Sequence, residues 1–132
     1  MSDEELFLTA VLQCNRTELY TRGCELTSEQ SGIFEDMKRR RKNHEPVQYI
    51  TGFTEFMGHR INVGPGVLIP RPETEVLCDI LIQALKAQNK REYFILDIGT
   101  GSGCIPIAIL KAIPQARVMA LDVTEEPLSF AK

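Results

Sequence analysis

Apolar positions in the first third of the chain recur at helical spacing. Leu6, Phe7, Ala10, Val11 and Cys14 fall on one helical face. Ser2-Asp3-Glu4-Glu5 precedes them and fits a capping box, in which Ser2 accepts from a first-turn N–H and Glu5 reaches back. Asn15-Arg16-Thr17 starts a second short helix carrying Leu19 and Tyr20. Thr27-Ser28-Glu29-Gln30 is a further capping box, followed by Ile33, Phe34 and Met37. The result is a small helical unit over residues 1–45 with a thin apolar stripe.

From Pro46 the period changes. Phe53–Met57 and Arg60–Val63 read as two runs of a β-hairpin joined at Gly58-His59, with Gly58 supplying positive φ. Gly64-Pro65-Gly66 breaks the chain, and Val67-Leu68-Ile69 is a short extended piece. Pro72 suits the first turn of a helix, whose positive end Glu73 and Glu75 complement. Val76, Leu77, Ile80, Leu81, Ala84 and Leu85 then make one continuous stripe. Tyr93–Leu96 is a short apolar run that reads as a buried parallel strand ending at Asp97. Cys104 to Ala112 reads as a helix, which tolerates Pro106 only in its first turn. Arg117–Leu121 is a second buried strand ending at Asp122, and Thr124 caps a third helix.

Composition narrows the classes. The 132 residues are 43% hydrophobic and 25% charged with net charge −3, which gives no overall pull toward nucleic acid or anionic membrane. The acidic N-terminus resembles neither a secretory signal nor a transit peptide, and no apolar run reaches bilayer length. The four cysteines, Cys14, Cys24, Cys78 and Cys104, show no Cys-x-x-Cys spacing. They read as reduced thiols packed in a cytosolic protein, without a metal site or disulfide framework. The run Lys38-Arg39-Arg40-Arg41-Lys42 reads as cations favoured at a helix C-terminus on a solvated face. Docking to RNA or to a ribosome-associated partner is the alternative.

The chemistry gathers at Asp97-Ile98-Gly99-Thr100-Gly101-Ser102-Gly103. Strand, glycine loop, helix, strand and acidic residue form the βαβ unit that binds an adenosine cofactor. Gly99 and Gly101 let the backbone turn sharply and approach a ligand where a Cβ would clash. The following helix start offers N–H groups to a polar ligand. Asp122, 23 positions beyond Gly99, stands where a carboxylate accepts from ribose hydroxyls. Taken alone, Asp97 also reads as a turn or cap residue. A nicotinamide fingerprint needs its third glycine one position later, where this chain has Cys104. The spacing therefore favours S-adenosylmethionine without deciding the matter.

Glu45-Pro46-Val47-Gln48-Tyr49-Ile50-Thr51-Gly52, Leu68-Ile69-Pro70-Arg71-Pro72-Glu73-Thr74-Glu75 and Ile95–Gly103 occur in this order and spacing. From about Glu5 onward the chain resembles the HemK/PrmC family, the peptide-chain release-factor glutamine N5-methyltransferases. The Pro-Arg-Pro-Glu-Thr-Glu segment is its most specific part. The resemblance implies an α/β protein in three parts. A helical substrate-recognition domain spans residues 1–45, a β-hairpin linker 46–72, and the first part of a Rossmann-like class I methyltransferase domain 73–132. It implies methyl transfer from S-adenosylmethionine to the side-chain amide of a release-factor glutamine in the cytoplasm. Carried over, Gly99, Thr100, Gly101, Ser102 and Gly103 line the methionine part of the cofactor, and Asp122 holds the ribose. Asp97 and Thr74 lie near the cofactor, Thr74 reading equally as a first-turn helix residue.

One departure matters. The family's Asn-Pro-Pro-Tyr motif, which holds and polarises the acceptor amide, has no counterpart here, and the sequence contains no Asn-Pro dipeptide. The family also usually has another helix before the one at Ser2. The chain therefore reads as a fragment without catalytic residues of its own, inactive alone. Its two strands leave edges and faces open, so it is expected to be marginal, aggregation-prone or self-associating. Two alternatives stand beside this reading. One is a fragment of a nucleic-acid adenine N6-methyltransferase, and the other a non-catalytic release-factor-binding module.

Overall fold

The computed structural model describes residues 2–22 and 25–131, so Cys24 lies outside the described residues. The chain divides into two compact units, residues 1–52 and 53–132. Among the described residues no helix is long and apolar enough to cross a membrane.

The first unit is helical: α1 (Asp3–Leu12), α2 (Arg16–Arg22), α3 (Ser28–Lys42) and α4 (Val47–Thr51). The starts of α1, α2 and α3 are set by local side-chain chemistry. Ser2 and Glu5 form the capping box at α1, and Thr27 and Gln30 form the one at α3. Asn15 and Glu18 exchange the same pair of bonds at α2, at 2.9 and 3.0 Å. Such caps satisfy N–H groups that helical geometry leaves open, each worth about 1 kcal/mol. Phe7, Leu19 and Ile50 are its buried apolar residues, and α1 packs against α3, α2 and α4. The stripe on α3 is thinner still: no residue of that helix is buried, and Ile33 is exposed. Residues 46–52 do not open the hairpin. Pro46 sits at the N-cap of α4, and Gly52 ends that helix in the left-handed conformation, φ 81°.

Four of the five cations in the basic run at the end of α3 are paired with carboxylates. Lys38 meets Glu35 at 2.7 Å, Arg39 meets Asp36, and Arg41 reaches Asp3 at 2.6 Å. Arg40 grips Glu45 through Nε at 2.8 Å and Nη2 at 2.5 Å, which holds the Glu45 carboxyl below the usual range.

The second unit opens with the antiparallel pair β1 (Phe53–Phe56) and β2 (His59–Asn62), in which Phe56 faces His59. The turn pair is therefore Met57-Gly58, one residue earlier than the sequence suggests, with φ of 49° and 75°. Two positive φ values suit the right-handed twist of the flanking strands. Methionine rarely takes this conformation unaided. Here a tertiary bond fixes it: the Met57 N–H donates to Glu75 Oε1 at 2.6 Å, and Met57 packs against the core. Phe56 and Ile61 are buried, and Arg60 stacks over the Phe53 ring at 3.8 Å on the other face. Residues 67–69 form no strand.

Helix α5 (Pro72–Gln88) begins with proline in its first turn, as expected. Its buried side is not the predicted stripe. Cys78 and Ile82 are buried with Leu81 and Leu85 partly so, whereas Val76, Leu77 and Ile80 are exposed. The sequence offers two apolar stripes on this helix, and a narrow sheet covers only one.

That sheet is β3 (Tyr93–Ile98) beside β4 (Ala116–Leu121), parallel, with Ile98 opposite Leu121. Helix α6 (Cys104–Ala112) connects them. Ile82, Tyr93, Ile109, Ile113 and Ala116 form the core, with Ile95 and Val118 packed on it. Tyr93 ties the layers: its hydroxyl donates to Leu85 O at 2.5 Å and accepts from Lys90 N at 3.0 Å. The strands are buried on one face only, which corrects the expectation of two fully buried strands. Phe94, Leu96, Ile98, Met119 and Leu121 are 47 to 77% exposed, because no element among the described residues covers that side. A short helix α7 (Glu125–Phe130) ends the unit. Thr124 occupies its N-cap position, but its hydroxyl makes no capping bond, contrary to expectation. Asp122 holds that corner instead, accepting the Val123 N–H at 2.8 Å.

Candidate cofactor site

Parallel pairing of β3 with β4 brings the glycine loop and Asp122 to the same end of the sheet. Gly99 N and Thr100 N both donate to Leu121 O, at 2.8 and 2.9 Å, so the loop wraps the last carbonyl of β4. The chain then turns tightly, with Gly103 N donating to Thr100 O at 3.0 Å. Gly99, Gly101 and Gly103 take φ of 78°, 55° and 76°. These left-handed values cost any other L-residue roughly 1–2 kcal/mol, so the spacing of the three glycines follows from the path of the loop. Gly103 is also the N-cap of α6, and a Cβ there would lie 2.9 Å from the Ala131 Cβ.

Asp122 completes the loop. Its Oδ2 accepts from Gly101 N at 2.8 Å while Oδ1 accepts from Val123 N at 2.8 Å. The Gly101 N–H first, and the Val123 and Thr124 N–H groups after it, pull its carboxyl below the usual aspartate range. A carboxylate offers about four lone-pair sites, so acceptor capacity remains for a ligand.

Three polar atoms of this site are buried without a hydrogen-bond partner among the described residues: Asp97 Oδ2, Thr100 Oγ1 and Ser102 Oγ. Orphaned buried polar atoms are costly and uncommon in folded proteins. Ser102 Oγ has the Cys104 thiol as its polar neighbour. Helix α6 then starts at Cys104 and buries Pro106 within its first turn, where no N–H is needed for the helix ladder.

Asp97, Gly99, Thr100, Gly101, Ser102, Gly103 and Asp122 are thus all gathered at one end of β3 and β4. Thr74 is not joined to them by a hydrogen bond among the described residues. It lies in the first turn of α5 with its N–H on Arg71 O at 3.0 Å. The segment before it reaches the loop through Val67, whose Cγ2 lies 3.8 Å from where a Gly101 Cβ would stand. Nothing in the local sequence marks Val67, because the contact spans more than thirty residues.

Burial governs the nearby thiols. Cys78 is fully buried, and burial first, then the neighbouring Cys104, Asp97 and Glu75, push its thiol up to about 11. Burial raises Cys104 as well, against hydrogen bonding from Ser102. Among the described residues no group of three or more His, Cys, Asp and Glu could hold a metal ion.

The class defined so far is a parallel α/β unit with a glycine loop clasped by an acidic residue, preceded in the chain by a small helical unit. Comparison with known proteins narrows this to a resemblance. Residues 2–52 match the PrmC N-terminal domain. The chain is 41% identical over 121 residues to the release factor glutamine methyltransferase of Thermodesulfovibrio yellowstonii, covering 92% of this chain and 43% of that protein. It is 41% identical over 129 residues to the Koribacter versatilis protein of that name, with coverage of 97% and 45%. With the Bacteroides thetaiotaomicron protein identity is 48% over 93 residues, with coverage of 70% and 32%. The resemblance to the HemK/PrmC family is therefore shown, and the chain corresponds to the N-terminal part of these relatives. It spans less than half the length of each.

Proposed function

We propose that these residues are the cofactor-binding part of an S-adenosylmethionine-dependent methyltransferase that modifies the side-chain amide of a glutamine in peptide-chain release factors. The observation that carries the reading is the glycine loop closed on Asp122, with Asp97 Oδ2 and Thr100 Oγ1 buried and unpartnered beside it. These groups fit the cofactor's chemistry. A carboxylate oxygen and a hydroxyl suit the ammonium and carboxylate of its methionine part, and the lone pairs left on Asp122 suit ribose hydroxyls. The bound cofactor would supply an activated methyl group. This chain's residues would hold and orient it, and Thr74 would stand beside its methionyl end.

The acceptor glutamine needs hydrogen-bond acceptors that position its weakly nucleophilic amide. The sequence has no Asn-Pro dipeptide to begin such a site, so the 132 residues alone are expected to bind the cofactor without methylating a release factor. The helical unit would contact the release factor, in the cytoplasm. A nucleic-acid substrate is disfavoured because four of the five cations in the basic run are already paired with carboxylates. The open sheet face carrying Phe94, Ile98 and Met119 favours self-association.

Titration calorimetry tests the reading. S-adenosylmethionine should bind, NADH should not, and Asp122→Ala should abolish binding. No heat with S-adenosylmethionine, or equal affinity for NADH, would overturn it.

A further inference from the structure

The nine residues between β2 and α5 run beside the glycine loop. Val63 and Val67 of this strap are buried, and the Val67 N–H is turned back onto Gly64 O at 3.2 Å. Val67 is also the strap residue that meets Gly101, at 3.8 Å from its virtual Cβ. The strap also meets α7, a Cβ at Gly64 standing 2.7 Å from Phe130 Cζ and one at Gly66 3.6 Å from Glu126 Cβ, and fixing both of its ends lowers the entropy lost in ordering it. The far end is fixed by α5. The near end is the hairpin, and a side-chain bond ties the hairpin to α5: Glu75 Oε1, in the opening turn of the helix, accepts the Met57 N–H at 2.6 Å across 18 residues. Met57 is held there in the left-handed conformation with its side chain against the core. A carboxylate at this point in α5 does more than complement the helix dipole.

We propose that Glu75 is a positioning residue that closes residues 57–75 into a loop and so holds Val67 against Gly101 of the cofactor loop. The function it serves rests on the cofactor reading above; the latch itself does not. A hydrogen bond to a charged acceptor is worth 10- to 100-fold, roughly, in a local opening equilibrium. The ordering of Val67 should fall with it.

Native-state hydrogen exchange on the full chain tests this with Glu75→Ala and Glu75→Gln. In Glu75→Ala the Met57 and Val67 amides should exchange about 10-fold faster or more, while the Ile109 amide in α6 is unchanged. Glu75→Gln keeps an oxygen acceptor and should restore most of that protection. Affinity for S-adenosylmethionine should drop several-fold in the alanine variant and recover in the glutamine variant. Unchanged Met57 and Val67 protection in Glu75→Ala would overturn the latch, as would an equal rise at Ile109, which marks general destabilisation. If the alanine variant does not fold, failure of Glu75→Gln to retain Met57 protection overturns it equally. Loss of cofactor binding by the unaltered chain would instead count against the proposed function, because the exchange readout needs no ligand.

Discussion

Replacing Gly99 and Gly103 separately by alanine measures how the cofactor loop is built. Both glycines sit at nearly the same backbone angle, φ 78° and 76°. The intrinsic cost of a left-handed alanine, roughly 1–2 kcal/mol, is therefore shared. Restricting the unfolded chain offsets about 0.4–1 kcal/mol of it at both sites. The surroundings differ. Around Gly99 nothing lies within 4 Å of the new Cβ, whereas at Gly103 it meets the Ala131 Cβ at 2.9 Å and the Ala131 Cα at 3.2 Å. Carbon atoms settle at about 3.5–4.0 Å, so the end of α7 must withdraw from the N-cap of α6. Gly99→Ala should lower stability by about 1 kcal/mol, a fall in Tm of some 4–8 °C for a unit of this size. Gly103→Ala should lose that and a further increment of about 1 kcal/mol, with faster proteolysis at α7. Urea unfolding monitored by circular dichroism, with limited proteolysis alongside, reads both. Equal destabilisation of the two variants, or greater damage in Gly99→Ala, would refute the reasoning.

Other outcomes follow from particular bonds. Tyr93→Phe removes the hydroxyl that serves Leu85 O and Lys90 N, and should cost about 1–3 kcal/mol in a denaturant titration. Asp122 has a depressed carboxyl pKa, so its clasp on Gly101 is complete above the unfolded value and is lost as pH falls through the folded one. Exchange at the Gly101 amide, corrected for intrinsic rate, should therefore lose protection on the acid side, and Asp122→Asn should flatten that profile. Cys78, buried and with its thiol raised to about 11, should resist alkylation at pH 8 in the native chain. Among the described cysteines, the partly exposed Cys14 should label first by peptide mass spectrometry.

The parts of this fold legible in the sequence are those decided within a few residues. Capping boxes at Ser2 and Thr27, the left-handed Gly58, the start of α5 at Pro72 and the glycine loop all depend on neighbours in the chain. What was misread depends on distant groups. The hairpin turns at Met57-Gly58, one residue before the expected pair, where Glu75 accepts the Met57 N–H from 18 residues away. Helix α5 turned its Cys78–Ile82 side inward because the core around Tyr93 and Ile109 selects one of two apolar stripes. Apolar strands announce that they can be buried, but only the covering elements decide on how many faces. Asp122 was legible as an acidic residue at a strand end. Its use as a clasp on Gly101 was not, because that bond needs the register of β3 on β4.

The pairing at the end of α3 has a consequence for encounter kinetics. Lys38–Lys42 presents five adjacent cations, but Glu35, Asp36, Glu45 and Asp3 stand within ion-pair distance of four of them. Beyond a Debye length of about 8 Å the group therefore acts as roughly one net charge. Such a patch does not steer a polyanion in solution, and contact with one would release about one counterion instead of five. With so little net charge on the run, association of the helical unit with a partner would have to draw its specificity from shape and apolar contact.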